Sequence, residues 1–300
     1  MELVPPNLNI DFLRWSRWAM VLSIVVAALG IGSLVVRGPN YGIDFAGGLL
    51  LHLRFSEPRE VAEVRSALAK IERAGASIQD FGGEKREFLV RMPLEAEQTI
   101  EASAEVRKAL EEHFGEGSFE ILRTEIVGPR VGAELRRRAV LLVAFATLLM
   151  GGYIAARFEP RFGLGAAAAL VHDVVITLGA LSLFRYELDL PVVAALLTVV
   201  GYSVNDTVVV SDRIRENRRK SRREPLRDLI NRSVNETLSR TVLTSGTTLF
   251  VVLALFLLGG NVIHPFAFTL LVGVIVGTYS SVYVASPVVL ALERTVRGRR

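Results

Sequence analysis

Long apolar blocks alternate with charged segments along the chain, a pattern that predicts membrane-spanning helices. The blocks lie at residues 18–36, 139–156, 162–184, 190–211, 241–258 and 265–292. Each is near or above the roughly 20 residues that a helix needs to cross a bilayer. The first block follows basic residues, as a signal peptide would, but no small-x-small cleavage site follows it, so we expect a retained anchor. The pattern therefore predicts a polytopic α-helical membrane protein with six transmembrane helices.

Residues 37–138, between the first two blocks, have the pattern of a small folded domain. Alternating apolar runs predict strands at 49–55, 77–81, 87–92 and 118–126, and helical spacing predicts helices at 58–74 and 96–114. The order strand, helix, strand, strand, helix, strand is that of the ferredoxin-like (βαββαβ) α+β fold. Gly82 and Gly83 fit a tight turn between the two middle strands.

Composition and charge then predict which segments lie on each side of the membrane. The chain has 300 residues, of which 51% are hydrophobic, and its mean hydropathy is +0.39. Basic residues are concentrated in the segment 212–240, at Arg157 and Arg161, and in the tail 293–300. Short loops rich in Lys and Arg face the cytoplasm, so we expect residues 1–17, the basic loop and the tail to be cytoplasmic. The domain at 37–138 is then extracytoplasmic.

The same basic residues could suggest nucleic-acid binding, but topology and attraction to anionic lipid already explain them. The chain contains no cysteine, so the external domain is expected to be held together by its apolar core. That domain has no metal-ligand cluster, phosphate-binding loop or nucleophile–base pair in its sequence, which favours a binding or mechanical role over catalysis.

Asp206 is the most informative residue, because it lies within the fourth apolar block. An ionised carboxylate at the centre of a membrane helix costs roughly 2.5 to 3.5 kcal/mol, so such an acid is a candidate functional group. Asn205 lies beside it. Arg240 and Thr244 share one face of the fifth helix at a similar depth, which predicts that Asp206 pairs with the Arg240 guanidinium. Alternatively, Asp206 only joins helices by hydrogen bonds and Arg240 extends towards the membrane surface.

Further polar or small residues mark other helix faces. Asp173, in the third block, lies on a face of small residues, and its neighbour His172 is expected to point elsewhere. Close packing explains this pair better than a proton path. Gly273, Gly277, Ser281 and Ala285 recur at four-residue spacing in the sixth block, an extended small-xxx-small stripe that predicts a helix-packing face.

The run Gly42-Ile43-Asp44-Phe45-Ala46-Gly47-Gly48 stands where the first helix leaves the membrane and the external domain begins. Its simplest interpretation is a tight turn, since glycine permits positive φ and Asp can cap a turn. Its position at the junction also suits a role in transmitting motion, for which Gly42, Asp44, Phe45, Gly47 and Gly48 are the candidates.

Four runs together resemble the SecF branch of the SecD/SecF protein-export family, which belongs to the RND superfamily. They are GIDFAGG at 42–48, VHDVVITLG at 171–179, VVGYSVNDTVVVSDRIREN at 199–217 and NETLSRTVLTS at 235–245. The resemblance spans nearly the whole chain and keeps the four runs in order. It implies that Asp206 is the proton-responsive acid, with Arg240 and Thr244 as its basic and hydroxyl partners.

The resemblance also implies a bacterial inner-membrane complex with SecD, associated with the SecYEG channel, the SecA motor, and often YajC and YidC. Such a complex uses the proton-motive force to promote late steps of preprotein translocation. The expected coupling ion is H⁺, with Na⁺ as the alternative, and no other cofactor or metal is expected.

Three other functions are alternatives. An RND exporter of small molecules or lipids shares the six-helix unit but typically has larger external loops. A subunit that only stabilises the translocase, without conducting protons, remains compatible with the sequence. An intramembrane protease is disfavoured, because the apolar blocks contain neither G-x-S-x-G nor H-E-x-x-H, and we expect no enzymatic activity.

Overall fold

The computed structural model describes residues 9–69, 77–81, 84–92, 99–221 and 223–297. A short 3₁₀ turn at Phe12–Arg14 precedes the first long helix. In chain order the elements are α1 (Ser16–Arg37), α2 (Ile43–Ala46), β1 (Gly48–Phe55), α3 (Val61–Ala69), β2 (Ser77–Phe81), β3 (Glu87–Met92), α4 (Thr99–Phe114), β4 (Phe119–Val127), α5 (Pro129–Arg157), α6 (Pro160–Leu183), α7 (Leu190–Lys220), α8 (Leu226–Leu258), α9 (Gly260–Ser280), a π-helical turn (Ser281–Ala285) and α10 (Ser286–Arg297).

Helices long and apolar enough to cross a membrane number six within the described ranges: α1, α5, α6, α7, α8 and the continuous run Val262–Glu293. They agree in number and order with the apolar blocks of the sequence. Several extend well beyond those blocks, because charged turns continue the same helix outside the apolar region. Helix α5, for instance, begins at Pro129, and α7 continues to Lys220.

Helices α6 and α7 form the centre of the bundle. Half of the apolar window of each is buried, against 17% for α1, α5 and α8. The peripheral helices therefore present broad apolar faces outwards, as expected where lipid tails or another membrane subunit cover them. The sixth span crosses the bundle against α6, α7 and α8.

The α+β domain is ferredoxin-like. Within the described residues, its strands form one antiparallel sheet in the order β2-β3-β1-β4, so the first strand is central although it comes first in the chain. Helices α3 and α4 cover one face of that sheet. The buried core between them includes Leu51, Phe55, Val64, Phe88 and Leu110.

The other face of the sheet lies towards the membrane helices. Leu50 and Leu89 pack there with Ile43 of α2. The guanidinium of Arg91, on β3, donates to the carboxylate of Glu187 in the loop between α6 and α7. The domain is therefore joined to the end of the bundle at which α7 begins, by an apolar patch and an ion pair.

The fold class predicted from the sequence is confirmed: six long apolar helices and a ferredoxin-like α+β domain after the first. The predicted strands at 77–81 and 87–92 coincide with β2 and β3. The expected turn at Gly82 and Gly83 lies outside the described residues, as do parts of the predicted helices at 58–74 and 96–114.

Candidate functional site

Asp206 lies on the buried face of α7, and its side chain belongs to a hydroxyl network. The residue is 2% exposed. Ser245 Oγ, on α8, donates to Asp206 Oδ2 over 3.4 Å and lies 2.8 Å from Thr278 Oγ1 of α9. Tyr202, one turn earlier on α7, donates its hydroxyl to Ser245 Oγ over 3.3 Å. Hydrogen bonds from three helices thus converge near one buried carboxylate and offset part of its desolvation.

Arg240 does not form the direct pair expected from the sequence. Its side chain is exposed, and within the described ranges no ion pair joins it to Asp206. Thr244 does not reach the carboxylate either, because its hydroxyl donates back to the carbonyls of Arg240 and Thr241 over 3.0 and 3.2 Å. Ser245, one residue further along α8, occupies the position facing Asp206. Arg240 acts on the acid only at longer range, by its charge.

A cavity of about 650 Å³ lies beside the buried acid, at the end of the bundle away from the α+β domain. Asn205 and Arg240 line its wall together with charged side chains of α7 and α8, including Asp212, Arg213 and Glu236. Asn205 is exposed and directly precedes Asp206. The residue next to Asp206 therefore lies in the polar wall of the cavity, whereas the Asp206 carboxylate is buried in the protein.

Asp173 is a second buried acid, at the junction of α6, α7 and α9. It is 1% exposed, and Ser203 Oγ of α7 and Ser280 Oγ of α9 donate to its Oδ2 over 2.6 and 2.8 Å. The expectation that His172 points elsewhere is wrong: His172 Nδ1 lies 2.9 Å from Asp173 Oδ1. Consecutive helix residues diverge in direction, but the imidazole is long enough to turn back onto the neighbouring carboxylate.

The stripe of small residues in the sixth span lies against the same two central helices. A Cβ added at Gly273 would come within 2.1 Å of Val199 on α7. Gly277 lies next to Ser203, and the carbonyl of Ala285 approaches Gly165 on α6. Ser281 begins the π-helical turn, one residue after the hydroxyl that contacts Asp173. Close packing thus holds α9 against the helix that carries Asp206.

The glycine-containing run at 42–48 contacts the first turn of α7. Asp44 Oδ2 accepts a hydrogen bond from the Leu190 amide over 3.0 Å. The Gly42 amide donates to the Leu188 carbonyl over 2.8 Å. Because the first amides of a helix have no partner within the helix, Asp44 acts as an external cap of α7 supplied by the start of the α+β domain.

Asp189 completes this cap from the other side, accepting from the Val192 amide over 2.9 Å. Burial raises the pKa of the Asp189 carboxyl, the hydrogen bond from Val192 opposes that rise, and the nearby Asp44 carboxylate adds to it. Two acidic side chains therefore share one helix N-terminus, where the helix dipole favours negative charge.

Gly47 and Phe45 fix the geometry of the run. Gly47 has φ +80°, and a Cβ there would meet Pro129 Cα at 2.9 Å, so the start of α5 approaches too closely for another residue. Phe45 is 4% exposed, with its ring 6.3 Å from that of Tyr41. Gly48 follows as the first residue of β1. The run thus ties α5, α7 and the sheet together.

Sequence reasoning missed the serine and threonine donors. Ser203, Ser245, Thr278 and Ser280 complete the two acidic clusters, but single hydroxyl residues are common in membrane helices and carry no distinctive spacing. Asp189 was also missed, although an Asp followed by Leu-Pro at the start of an apolar block is a helix N-cap pattern. No group of three or more His, Cys, Asp or Glu in the described residues could hold a metal ion.

Comparison with known proteins identifies the family. The model of the family described as "Protein export membrane protein SecD/SecF, C-terminal" matches residues 106–295, and that of the "SecD/SecF GG Motif" matches residues 32–58. The chain belongs to the SecD/SecF family. The second match contains the run that caps α7.

Relatives over the full length are SecF proteins. "Protein translocase subunit SecF" of Desulfurispirillum indicum is 48% identical over 92% of this chain and 90% of its own length. The Vibrio alginolyticus protein of that name is 45% identical over 97% and 92%. The corresponding protein of Escherichia coli O157:H7 is 43% identical over 94% and 87%.

A solved structure also matches along nearly the entire chain. The crystal structure of SecDF from Thermus thermophilus, described as a translocon-associated membrane protein, is 42% identical and superposes with a TM-score of 0.83 over 97% of this chain. This chain spans only 40% of the length of that SecDF chain. The chain is thus a multi-pass membrane protein of the protein-export family, and it matches part of a longer SecDF chain.

Proposed function

We propose that this chain is the SecF subunit of a proton-driven translocase complex and that Asp206 binds and releases the driving proton. Support for the export function comes from the SecF relatives. The observation that carries the coupling is the position of α7, which holds Asp206 in its buried part and has its first amide capped by Asp44 of the external domain. One rigid helix therefore connects the ionisable group to the domain that would handle the exported chain.

A SecD-type half is the partner. Helix α7 exposes Ala194, Thr198, Gly201 and Asn205 along one face, and small or polar residues on a membrane helix favour close contact with another protein over contact with lipid. This chain covers 40% of the length of each solved SecDF chain, so those chains contain a further part that a separate partner would supply here. The SecYEG channel, SecA, YajC and YidC are further partners that family membership suggests.

The complex lies in the bacterial cytoplasmic membrane, with both termini and the loop 212–240 in the cytoplasm. That orientation follows from the basic residues of the short loops. The α+β domain then projects to the outside, and the cavity beside Asn205 opens to the cytoplasm. Protons reaching Asp206 from outside would leave through this cavity. No cofactor other than the coupling ion is required.

Protonation would act through the hydroxyl network. A neutral Asp206 is a weaker acceptor for Ser245, and it no longer attracts the charge of Arg240. Helices α7 and α8 can then shift, and the shift reaches the domain through Asp44. The membrane potential supplies about 2.3 kcal/mol per elementary charge per 100 mV, which is comparable to the strength of a hydrogen bond to a charged group, about 1.5 to 3 kcal/mol.

The test is ion current through the reconstituted complex with its SecD-type half, measured in proton and sodium gradients separately. Asp206→Asn should abolish the proton current and the stimulation of export by the membrane potential. Asp228→Asn is the matched control, because it makes the same chemical change at an exposed position in the first turn of α8, outside the cavity wall. That variant should keep both activities.

A wild-type level of current or of potential-dependent export in Asp206→Asn would refute the role of Asp206. An assembled wild-type complex that carries no ion current would favour a scaffolding subunit. Current carried by sodium and lost in Asp206→Asn would retain the site but change the coupling ion.

A further inference from the structure

The buried pair of His172 and Asp173 has a hydrogen-bond arrangement that the coupling at Asp206 does not use. Both hydroxyls that reach Asp173, from Ser203 and Ser280, donate to the same oxygen, Oδ2. The other oxygen, Oδ1, faces only the imidazole Nδ1 among the described residues, at 2.9 Å. A proton bound by the carboxyl would therefore sit on Oδ1, between the carboxylate and the imidazole.

The second ring nitrogen of His172 is buried and has no hydrogen-bond partner within the described residues. The ring stacks on Tyr279, with centroids 6.2 Å apart and an interplanar angle of 23°. Tyr279 in turn donates its hydroxyl to the Ala19 carbonyl of α1 over 2.6 Å. Nε2 is thus an unused acceptor inside a pair that is otherwise fully bonded, which is unusual for a buried polar atom.

We propose that His172 and Asp173 form a second proton-binding pair, in which the proton is taken up at Nε2 of His172 and the carboxyl of Asp173 is neutralised. In the unprotonated pair, Nδ1–H donates to an ionised carboxylate, and the net charge is −1. When a proton binds to Nε2, the Nδ1 proton moves to Oδ1, which leaves a neutral imidazole of the opposite tautomer, a neutral carboxyl and a net charge of zero.

Neutralising Asp173 would loosen the joint between three helices. Asp173 accepts hydrogen bonds from Ser203 on α7, one turn before Asp206, and from Ser280 on α9. Ser280 is two residues after Thr278, which belongs to the Asp206 network. Ser280 also directly precedes the π-helical turn, a local distortion that frequently occurs at functional sites. The pair is therefore placed to influence the same helices that Asp206 moves.

The titratable groups that face the pair from the packed elements are few in the part of the chain described. Tyr279 on α9 stacks its ring on the imidazole, and Asp206 lies on α7 one turn after Ser203, the residue that donates to Asp173. Helix α1 contributes the hydroxyl of Ser23 and a backbone carbonyl, through Tyr279. Neither Tyr279 nor Asp206 is a cation, so neither supplies a positive charge to compensate the Asp173 carboxylate.

The experiment is ¹⁵N magnetic resonance of labelled histidine in the reconstituted complex with its SecD-type half, as a function of pH. The chain has four histidines, and the His172 signal is assigned by its loss in His172→Asn. We expect the ring to switch from the Nδ1–H to the Nε2–H tautomer as the pH falls, without passing through the doubly protonated form. Infrared difference spectra with ¹³C-labelled aspartate should show a protonated carboxyl over the same pH range.

Two variants separate a proton-binding role from a structural one. His172→Asn keeps an N–H that can donate to Asp173 but has no Nε2. The Asp173 carboxyl signal, which is the one that persists in Asp206→Asn, should therefore be lost although the complex assembles. Asp206→Asn should keep the tautomer switch, because that substitution leaves the pair intact. A ring that stays in one tautomer at every pH, or becomes an imidazolium beside an ionised carboxylate, would overturn the inference.

The inference builds on the proposed function, but its failure is distinguishable from failure of that function. A fixed tautomer together with a proton current that depends on Asp206 would remove the second site alone. A tautomer switch in a complex without any proton current would leave the pair and remove the coupling role of Asp206.

Discussion

At the scale of single residues, the carboxylates of Asp206 and Asp173 are buried among the membrane helices, and hydroxyl donors contact both. Asp206 accepts a hydrogen bond from Ser245, and Asp173 accepts hydrogen bonds from Ser203 and Ser280. Each ionised acid costs roughly 2.5 to 3.5 kcal/mol in a membrane, and hydrogen bonds to charged groups contribute about 1.5 to 3 kcal/mol each. These hydrogen bonds therefore offset a large part of the cost of holding the two acids ionised inside the bundle.

The donor to Asp206 can be tested by comparing two neighbouring hydroxyls on α8. Ser245→Ala removes the 3.4 Å hydrogen bond to the carboxylate and should favour the protonated acid by about 1.5 kcal/mol, the lower end of the range for a hydrogen bond to a charged group. The pH at which half of the export stimulation is lost should then rise by about one unit. Thr244→Ala is the control, because that hydroxyl donates only to carbonyls of its own helix.

Equal pH profiles for wild type and Ser245→Ala, with a shifted profile for Thr244→Ala, would instead identify Thr244 as the hydroxyl partner of Asp206, as expected from the sequence. That result would mean that α8 rotates between states and presents Thr244 to the acid in another conformation.

At the scale of elements, the two ends of α7 are stabilised by different groups. Its first turn is capped by Asp44 from outside the helix and by its own Asp189. Its last turns carry Arg218, Arg219 and Lys220, which complement the negative end of the helix dipole. The helix is therefore stabilised independently at each end, so it can move as a rigid body and carry displacement from Asp206 to the domain.

The cap can be removed without disturbing the membrane part of the helix. Asp44→Ala should weaken the first turn of α7 by about 0.5 to 2 kcal/mol, the usual cost of losing a helix cap. Amides of residues 190–192 should exchange with deuterium faster, and export should lose its dependence on the membrane potential while proton current persists. Asp44→Asn keeps an acceptor for the Leu190 amide and serves as the control.

Unchanged export in Asp44→Ala, despite faster exchange at the start of α7, would show that the cap is structural and that motion reaches the domain by another route.

Much of this element-level architecture was readable from the sequence, for physical reasons. The length of the apolar blocks predicts the number of membrane spans, and the alternation of apolar and polar residues predicts the strands, because both patterns follow from which side chains are buried. Helix periodicity also identified the buried faces of Asp173 and Asp206. It could not identify their partners, because Thr244 and Ser245 differ by 100° around α8, and nothing in a single helix indicates how its neighbour is rotated. The bend of His172 onto Asp173 is a rotamer choice that spacing does not encode.

At the scale of the whole molecule, one junction joins the α+β domain to the start of α7. The run at 42–48 contacts the loop before α7, and Arg91 on β3 pairs with Glu187 in that loop. Both contacts lie beside a cavity of about 280 Å³ between the free face of the sheet and the bundle. If proton binding moves α7, this junction is the direct contact through which the displacement reaches the domain.

A reversible covalent lock at the junction tests whether it has to move. The chain has no cysteine, so an introduced pair is the only possible disulfide within it. A Cβ built at Gly42 lies 3.3 Å from Asp189 Cβ, close to the roughly 3.5 to 4.5 Å between the Cβ atoms of disulfides. In the double variant Gly42→Cys/Asp189→Cys, oxidation should stop potential-driven export, and reduction should restore it. The reduced form of the same variant controls for the lost Asp189 cap. If the oxidised complex exported at the rate of the reduced one, the domain would have to work without moving against α7, and the coupling route through Asp44 would have to be abandoned.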